Sequence, residues 1–86
     1  MIRVKAREFR FVLSRRAAPR GRVVFLVTNV GTVQHDFKIA GKVTPLIAPG
    51  GKARLVVRFA RAGRYPYLCT VPGHADAGMR GVLRVG

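Results

Sequence analysis

Apolar and charged residues alternate one for one along much of this chain, and Gly or Pro interrupts the alternation at short intervals. In IRVKAREFRFVL, Ile2, Val4 and Ala6 share one side while Arg3, Lys5 and Arg7 take the other. A period of two belongs to a half-buried strand, because successive side chains of extended backbone point to opposite faces. No stretch carries the three-to-four residue spacing of a helix with an apolar stripe. The chain is therefore expected to be all-β.

Past Ala6 the phase inverts, since Phe9, Phe11 and Leu13 continue the apolar series on odd positions. A bulge, or a strand that crosses between sheets, is the expected cause. SRRAAPRG reads as a turn. Arg22 to Val30 is apolar on both faces and reads as a central strand. In GTVQHDFKIAG, alternation sets His35, Phe37 and Ile39 on the inward side, and KVTPLIAPGGK reads as a loop closed by a Pro-Gly-Gly turn. Leu55, Val57 and Phe59 alternate with Arg54 and Arg58, RAGRY turns the chain, and Tyr65, Tyr67 and Cys69 share a face of the next strand. RGVLRV closes the series with Leu83 and Val85 inward. About seven short strands at this spacing predict a Greek-key β-sandwich.

At 86 residues there is room for one core, so residues 1–86 are read as a single domain. Hydrophobic residues make up 49% of the chain, which excludes a disordered one. The 17 Lys and Arg face only Glu8, Asp36 and Asp76, giving a formal charge of +14. Such a field favours acidic partners or an anionic membrane surface. The bases are interleaved with apolar residues rather than gathered into a run, and the aromatics sit at core phase, so no specific nucleic-acid site is expected. No apolar leader opens the chain and no segment is long and apolar enough to span a membrane.

One short stretch departs from the strand pattern. YPYLCTVPGHADAGM holds the only cysteine, one of the two histidines and one of the two methionines. Cys69, His74 and Met79 are each separated by four residues, a spacing that a folded-back loop can bring to one point and a strand would scatter. His35 lies inward at the start of another strand, behind the Gly-containing turn NVGTVQ. One thiolate, two imidazoles and a thioether form a soft, mixed donor set suited to copper cycling between two oxidation states; structural zinc sites use four Cys or His and no thioether. Each residue alone has a plain reading as core, but all four at ligand spacing do not share one. A thiol enzyme, with Cys69 activated by either histidine, leaves the methionine and the second histidine without a role.

These residues carry a family resemblance. APGGKARLVVRFARAGRYPYLCTVPGHADAGMRGVLRV resembles the last three strands and ligand loop of the cupredoxins, the plastocyanin and azurin group of type 1 blue copper proteins, and NVGTVQHDFKI resembles their first-histidine segment. CTVPGH has azurin-like spacing, the interval from His74 to Met79 is plastocyanin-like, and PGHADAGM is similar to sulfocyanins. The resemblance implies one copper ion held by His35, Cys69 and His74 with Met79 as the long axial ligand. It implies that Asp36, where the family often has Asn, accepts hydrogen bonds from the Thr70 segment and ties the ligand loops together. It implies a one-electron carrier, not an enzyme, or the carrier domain of a longer protein, with copper storage or delivery as the alternative. The implied partners are redox proteins acidic at the docking face, which is an apolar patch of Val33, Pro72, Gly73, Ala75 and Ala77 around His74. A monomer is implied, periplasmic or extracellular, with any leader or anchor outside this chain.

Overall fold

The computed structural model describes all residues, Met1 to Gly86, and contains two facing β-sheets and no helix. The first sheet is built from β1 (Ile2–Arg7), β2 (Arg10–Leu13), β4 (Gly21–Asn29) and β7 (Lys52–Phe59), in the order β2-β1-β4-β7. The second holds β3 (Ala17–Ala18), β9 (Arg80–Val85), β8 (Gly63–Leu68), β5 (Lys38–Ile39) and β6 (Lys42–Val43), in the order β3-β9-β8-β5-β6. β1 runs parallel to β4 and β3 parallel to β9, while the remaining pairs are antiparallel. The all-β sandwich expected from the alternation is the fold observed.

Burial follows the sequence phase. Ile2, Val4 and Ala6 of β1, Val23, Phe25 and Val27 of β4, and Leu55, Val57 and Phe59 of β7 face inward from one sheet; Ile39, Tyr67, Leu83 and Val85 meet them from the other. The rings of Phe25, Phe37 and Tyr67 stack through the middle, with Phe37 5.3 Å from Phe25 and 5.4 Å from Tyr67. Each buried aromatic contributes about 1.5–3 kcal/mol through area removed from water, so this stack is one substantial part of the 18-residue core that joins the sheets.

Several local expectations are corrected. The phase inversion after Ala6 is neither a bulge nor a change of sheet: Glu8 and Phe9 form a tight hairpin turn, and β2 folds back on β1 with Ala6 opposite Phe11 and Arg7 opposite Arg10. SRRAAPRG is not only a turn, because Ala17 and Ala18 pair with Arg84 and Val85 of the last strand. Lys42 and Val43 likewise add a two-residue edge to the loop that follows Ile39. The total is nine strands rather than about seven, the excess being two-residue pairings too short to leave a period in the sequence. Phe9 is not at core phase; it sits in the hairpin turn, outside the alternation, and is 44% exposed.

β4 fixes the position of everything at one end of the sandwich. Its last residue, Asn29, is fully buried and spends its side chain on the backbone: Nδ2 donates to the carbonyls of Val33 and Ile47, both at 2.8 Å, and Oδ1 accepts from the Gly31 amide at 2.9 Å. That network sets the path of residues 30–35 beside the loop that leads into β7.

Candidate metal centre

His35 follows this loop and is locked through its backbone, exchanging hydrogen bonds with Ile47 at 3.2 and 2.8 Å. Its ring is wholly buried. Asp36 and Phe37 continue inward, and Thr44 Oγ1 accepts from the Phe37 amide, which turns the segment into β5. Because three consecutive side chains are buried here, the strict alternation expected for this segment fails at Asp36, which is 4% exposed.

Cys69 stands at the end of β8, and residues 70–79 fold back in successive turns to β9. Backbone bonds run from His74 to Val71, from Ala77 to Gly73, from Gly78 to Ala75 and from Met79 to His74. The Cys69 amide donates to the Met79 carbonyl at 3.0 Å, closing the loop at its base. Gly73 and Gly78 take φ values of 83° and 124°, and a Cβ on Gly78 would lie 3.0 Å from the Phe9 carbonyl, so the loop needs glycine there on both counts.

The structure brings together one ligand atom from each of His35, Cys69 and His74, all within 4.8 Å of one another. His35 Nδ1 is 3.1 Å from His74 Nδ1, and Cys69 Sγ is 3.6 Å from the same nitrogen. Met79 is fully buried beneath the loop, with its backbone bonded to both Cys69 and His74. Asp36 Oδ1 accepts from the Thr70 amide at 2.6 Å and Oδ2 from the Thr70 hydroxyl, joining the His35 segment to the Cys69 loop.

The electrostatics are those of a buried donor set. Burial pushes the Cys69 thiol above its ordinary value, against the lowering influence of backbone hydrogen bonds from Asp36 and Val71. Burial also lowers His35, with Glu8 opposing and His74 reinforcing the shift. A neutral imidazole is the form whose nitrogen lone pair can bind a metal.

Two contributors were not legible as site residues. Glu8, in the hairpin turn, places Oε1 3.6 Å from His35 Nε2. Phe9 packs its ring edge to face on His74, with centroids 5.0 Å apart. Both lie in a turn whose partners are more than twenty residues away in sequence, and no local pattern marks them. The inversion of phase at Glu8 was the one available signal that the chain reverses there.

The comparisons agree with this geometry. The family described as copper binding proteins, plastocyanin/azurin family, matches residues 2–86. The chain is 28% identical over 82 residues to the copper-resistant cuproprotein CopI of Vibrio cholerae, covering 71% of this chain and 48% of that one. It is 45% identical over 40 residues to CopI of Pseudomonas aeruginosa, covering 46% and 22%. It thus spans about half the length of the first relative and less of the second. Among solved structures, auracyanin from Roseiflexus castenholzii superposes with a TM-score of 0.82 at 19% identity, covering 98% of this chain and 94% of that one. Auracyanin A from Chloroflexus aurantiacus, titled a "blue" copper protein, gives 0.78 at 20% identity, covering 99% and 97%. A multicopper oxidase gives 0.72 at 16% identity, with 99% and 42% covered.

Fold and site define a cupredoxin. The chain belongs to the plastocyanin/azurin family of copper-binding proteins, and its cofactor is one copper ion. The donor chemistry fits that ion: two imidazole nitrogens and one cysteine sulfur lie within 4.8 Å of one another, a soft set where a hard cation would require oxygens.

Proposed function

We propose that this protein is a one-electron carrier with a type 1 copper site. His35 through Nδ1, Cys69 through Sγ and His74 through Nδ1 are the strong ligands, Met79 is the weak axial donor, and Asp36 and Thr70 hold the two ligand segments in register. The copper supplies the Cu(II)/Cu(I) couple. The observation that carries the reading is that protein–protein hydrogen bonds tie the two ligand segments in place: the Asp36–Thr70 bonds, the His35–Ile47 bridge and the Cys69–Met79 bond. A cage held from outside keeps one geometry in both oxidation states, so little rearrangement accompanies the transfer.

His74 is half-buried with the Phe9 ring, 44% exposed, packed on it; in its own loop Pro72, Gly73 and Ala77 are exposed and Ala75 half-buried, and Val33, expected in the same patch, is 43% exposed. An apolar patch beside the one partly accessible ligand is a docking face and a short electron path. The one close contact between an acid and a basic side chain is that of Glu8 with the buried His35 imidazole, so all 17 Lys and Arg are without an acidic partner. That supports redox partners acidic at their contact surface, with Arg64 and Arg80 among the steering bases, and a small contact suited to turnover. We read the protein as a non-enzymatic monomer acting in the periplasm or outside the cell. A catalytic thiol would need a lowered pKa, and burial drives Cys69 the other way.

The similarity to CopI favours one second reading, copper storage or delivery in copper resistance. Cyclic voltammetry of the copper-loaded protein, followed by challenge of the reduced form with a Cu(I) chelator, separates the two. A carrier gives a reversible one-electron wave and retains its copper; a delivery protein surrenders Cu(I) to the chelator.

A further inference from the structure

Glu8 has a position that the ligand set alone does not explain. His35 Nε2 is buried without a hydrogen-bond partner at bonding distance, and Glu8 Oε1, 3.6 Å away, is the acceptor facing it. The carboxylate is held there from the opposite side: Oε1 accepts from the Thr32 amide at 2.7 Å, the Val33 amide at 2.9 Å and the Thr32 hydroxyl at 3.1 Å. Gly31 leaves the room it occupies, for a Cβ at that position would stand 2.5 Å from Glu8 Oε2. Thus the turn between β1 and β2 and the loop after β4 together aim one oxygen at the remote nitrogen of a buried histidine whose other nitrogen faces Cys69 and His74.

We propose that Glu8 is the positioning residue of His35, fixing the proton on Nε2 and the lone pair on Nδ1, and biasing the site toward Cu(II) with its negative charge. The inference rests on the copper reading above. Physically, a proton on Nε2 facing a carboxylate makes one tautomer dominant, and a carboxylate behind an imidazole makes Nδ1 a more basic donor. Stronger donation favours the more charged oxidation state, so Glu8 holds the reduction potential down. No step requires Glu8 to change protonation. With three hydrogen bonds already on Oε1, the carboxylate is also more rigid than a free surface glutamate.

The test uses the copper-loaded full chain in three variants. Glu8→Gln keeps shape and acceptor oxygen but removes the charge; Glu8→Ala removes both; Gly31→Ala leaves every acid in place and pushes the carboxylate off Nε2. Outer contacts of metal-bound histidines are typically worth about 10- to 100-fold in metal affinity. Cu(II) affinity is expected to fall about tenfold in Glu8→Gln with Cu(I) affinity unchanged, which for a one-electron couple is a rise of about 59 mV in potential. Gly31→Ala should move the potential in the same direction. In nitrogen NMR of the Cu(I) form, the His35 Nε2 proton should exchange slowly in the unaltered protein and rapidly in Glu8→Ala. A structural role alone would shift the melting temperature and leave potential and tautomer untouched, and that result overturns the proposal. Unaltered protein that takes up no copper would instead overturn the copper reading itself, which keeps the two failures apart.

Discussion

Asp36 accepts hydrogen bonds from both the backbone amide and the hydroxyl of Thr70, 34 residues further along the chain. This pairing is what holds the segment carrying His35 against the loop carrying Cys69 and His74, and Asp36 is 4% exposed. Asp36→Ala leaves the Thr70 amide without its acceptor and should destabilise the copper-free fold by about 1–3 kcal/mol. For a domain of this size that lowers the melting temperature by roughly 4–8 °C per kcal/mol. Asp36→Asn preserves an acceptor for the amide, costs less stability, and removes a negative charge near the thiolate, so the copper-loaded form should show a higher potential. A calorimetric scan and a voltammogram of each variant check the two effects separately.

Acid should loosen the ligand end of the sandwich through Glu8. Hydrogen bonds from Thr32 and from its own backbone lower its carboxyl from 4.5 to about 2 in the folded chain. A carboxyl depressed by folding contributes stability in full above its unfolded value and loses it as pH falls through the folded one. The melting temperature of the copper-free protein should therefore decline between pH 4.5 and about 2, and Glu8→Gln should flatten that decline. Thermal melts across this window in both proteins provide the measurement.

Metal uptake should release a proton. Burial holds the Cys69 thiol above its ordinary value, so the free protein carries it protonated at neutral pH, whereas a metal takes it as thiolate. Calorimetric titration with Cu(II) in buffers of different ionisation enthalpy should report about one proton released in the unaltered protein, and none from this source in Cys69→Ser.

The Tyr67 ring lies where a side chain at Gly81 would stand. Gly81 pairs with Tyr67 across the strands, and a Cβ on Gly81 would lie 2.5 Å from Tyr67 Cζ, inside contact distance. Gly81→Ala should push the Tyr67 ring out of its stack on Phe37 and destabilise by about 1–3 kcal/mol, read as a lower denaturant midpoint with the copper ligands unchanged.

Legibility in the sequence tracked the length of the pattern. β1, β7 and β9 alternate apolar with charged residues, so their inward residues are readable, whereas β4 is apolar on both faces and its sequence does not mark which face, Val23, Phe25 and Val27, is the buried one. Ala17–Ala18 and Lys42–Val43 pair over two residues only, which is too short for a period, so the sequence alone marks them as turn and loop. At the site, Cys69, His74 and Met79 announce themselves by spacing within one loop, and His35 by its chemistry on an inward face. Glu8 and Phe9 do not, because their roles depend on a turn that returns to β4's loop through tertiary contacts with Thr32, Val33 and His74. Asp36 broke the alternation for a similar reason: its partner Thr70, and not its strand neighbours, decides its burial.

The most direct test is a titration of the reduced protein with Cu(II), followed by visible absorption, in the unaltered chain and in Cys69→Ser. One equivalent of copper should produce an intense blue thiolate-to-copper band in the unaltered chain and none in the variant. A colourless or weakly coloured complex in the unaltered chain, or a blue band that survives in Cys69→Ser, would contradict the type 1 site proposed at His35, Cys69 and His74.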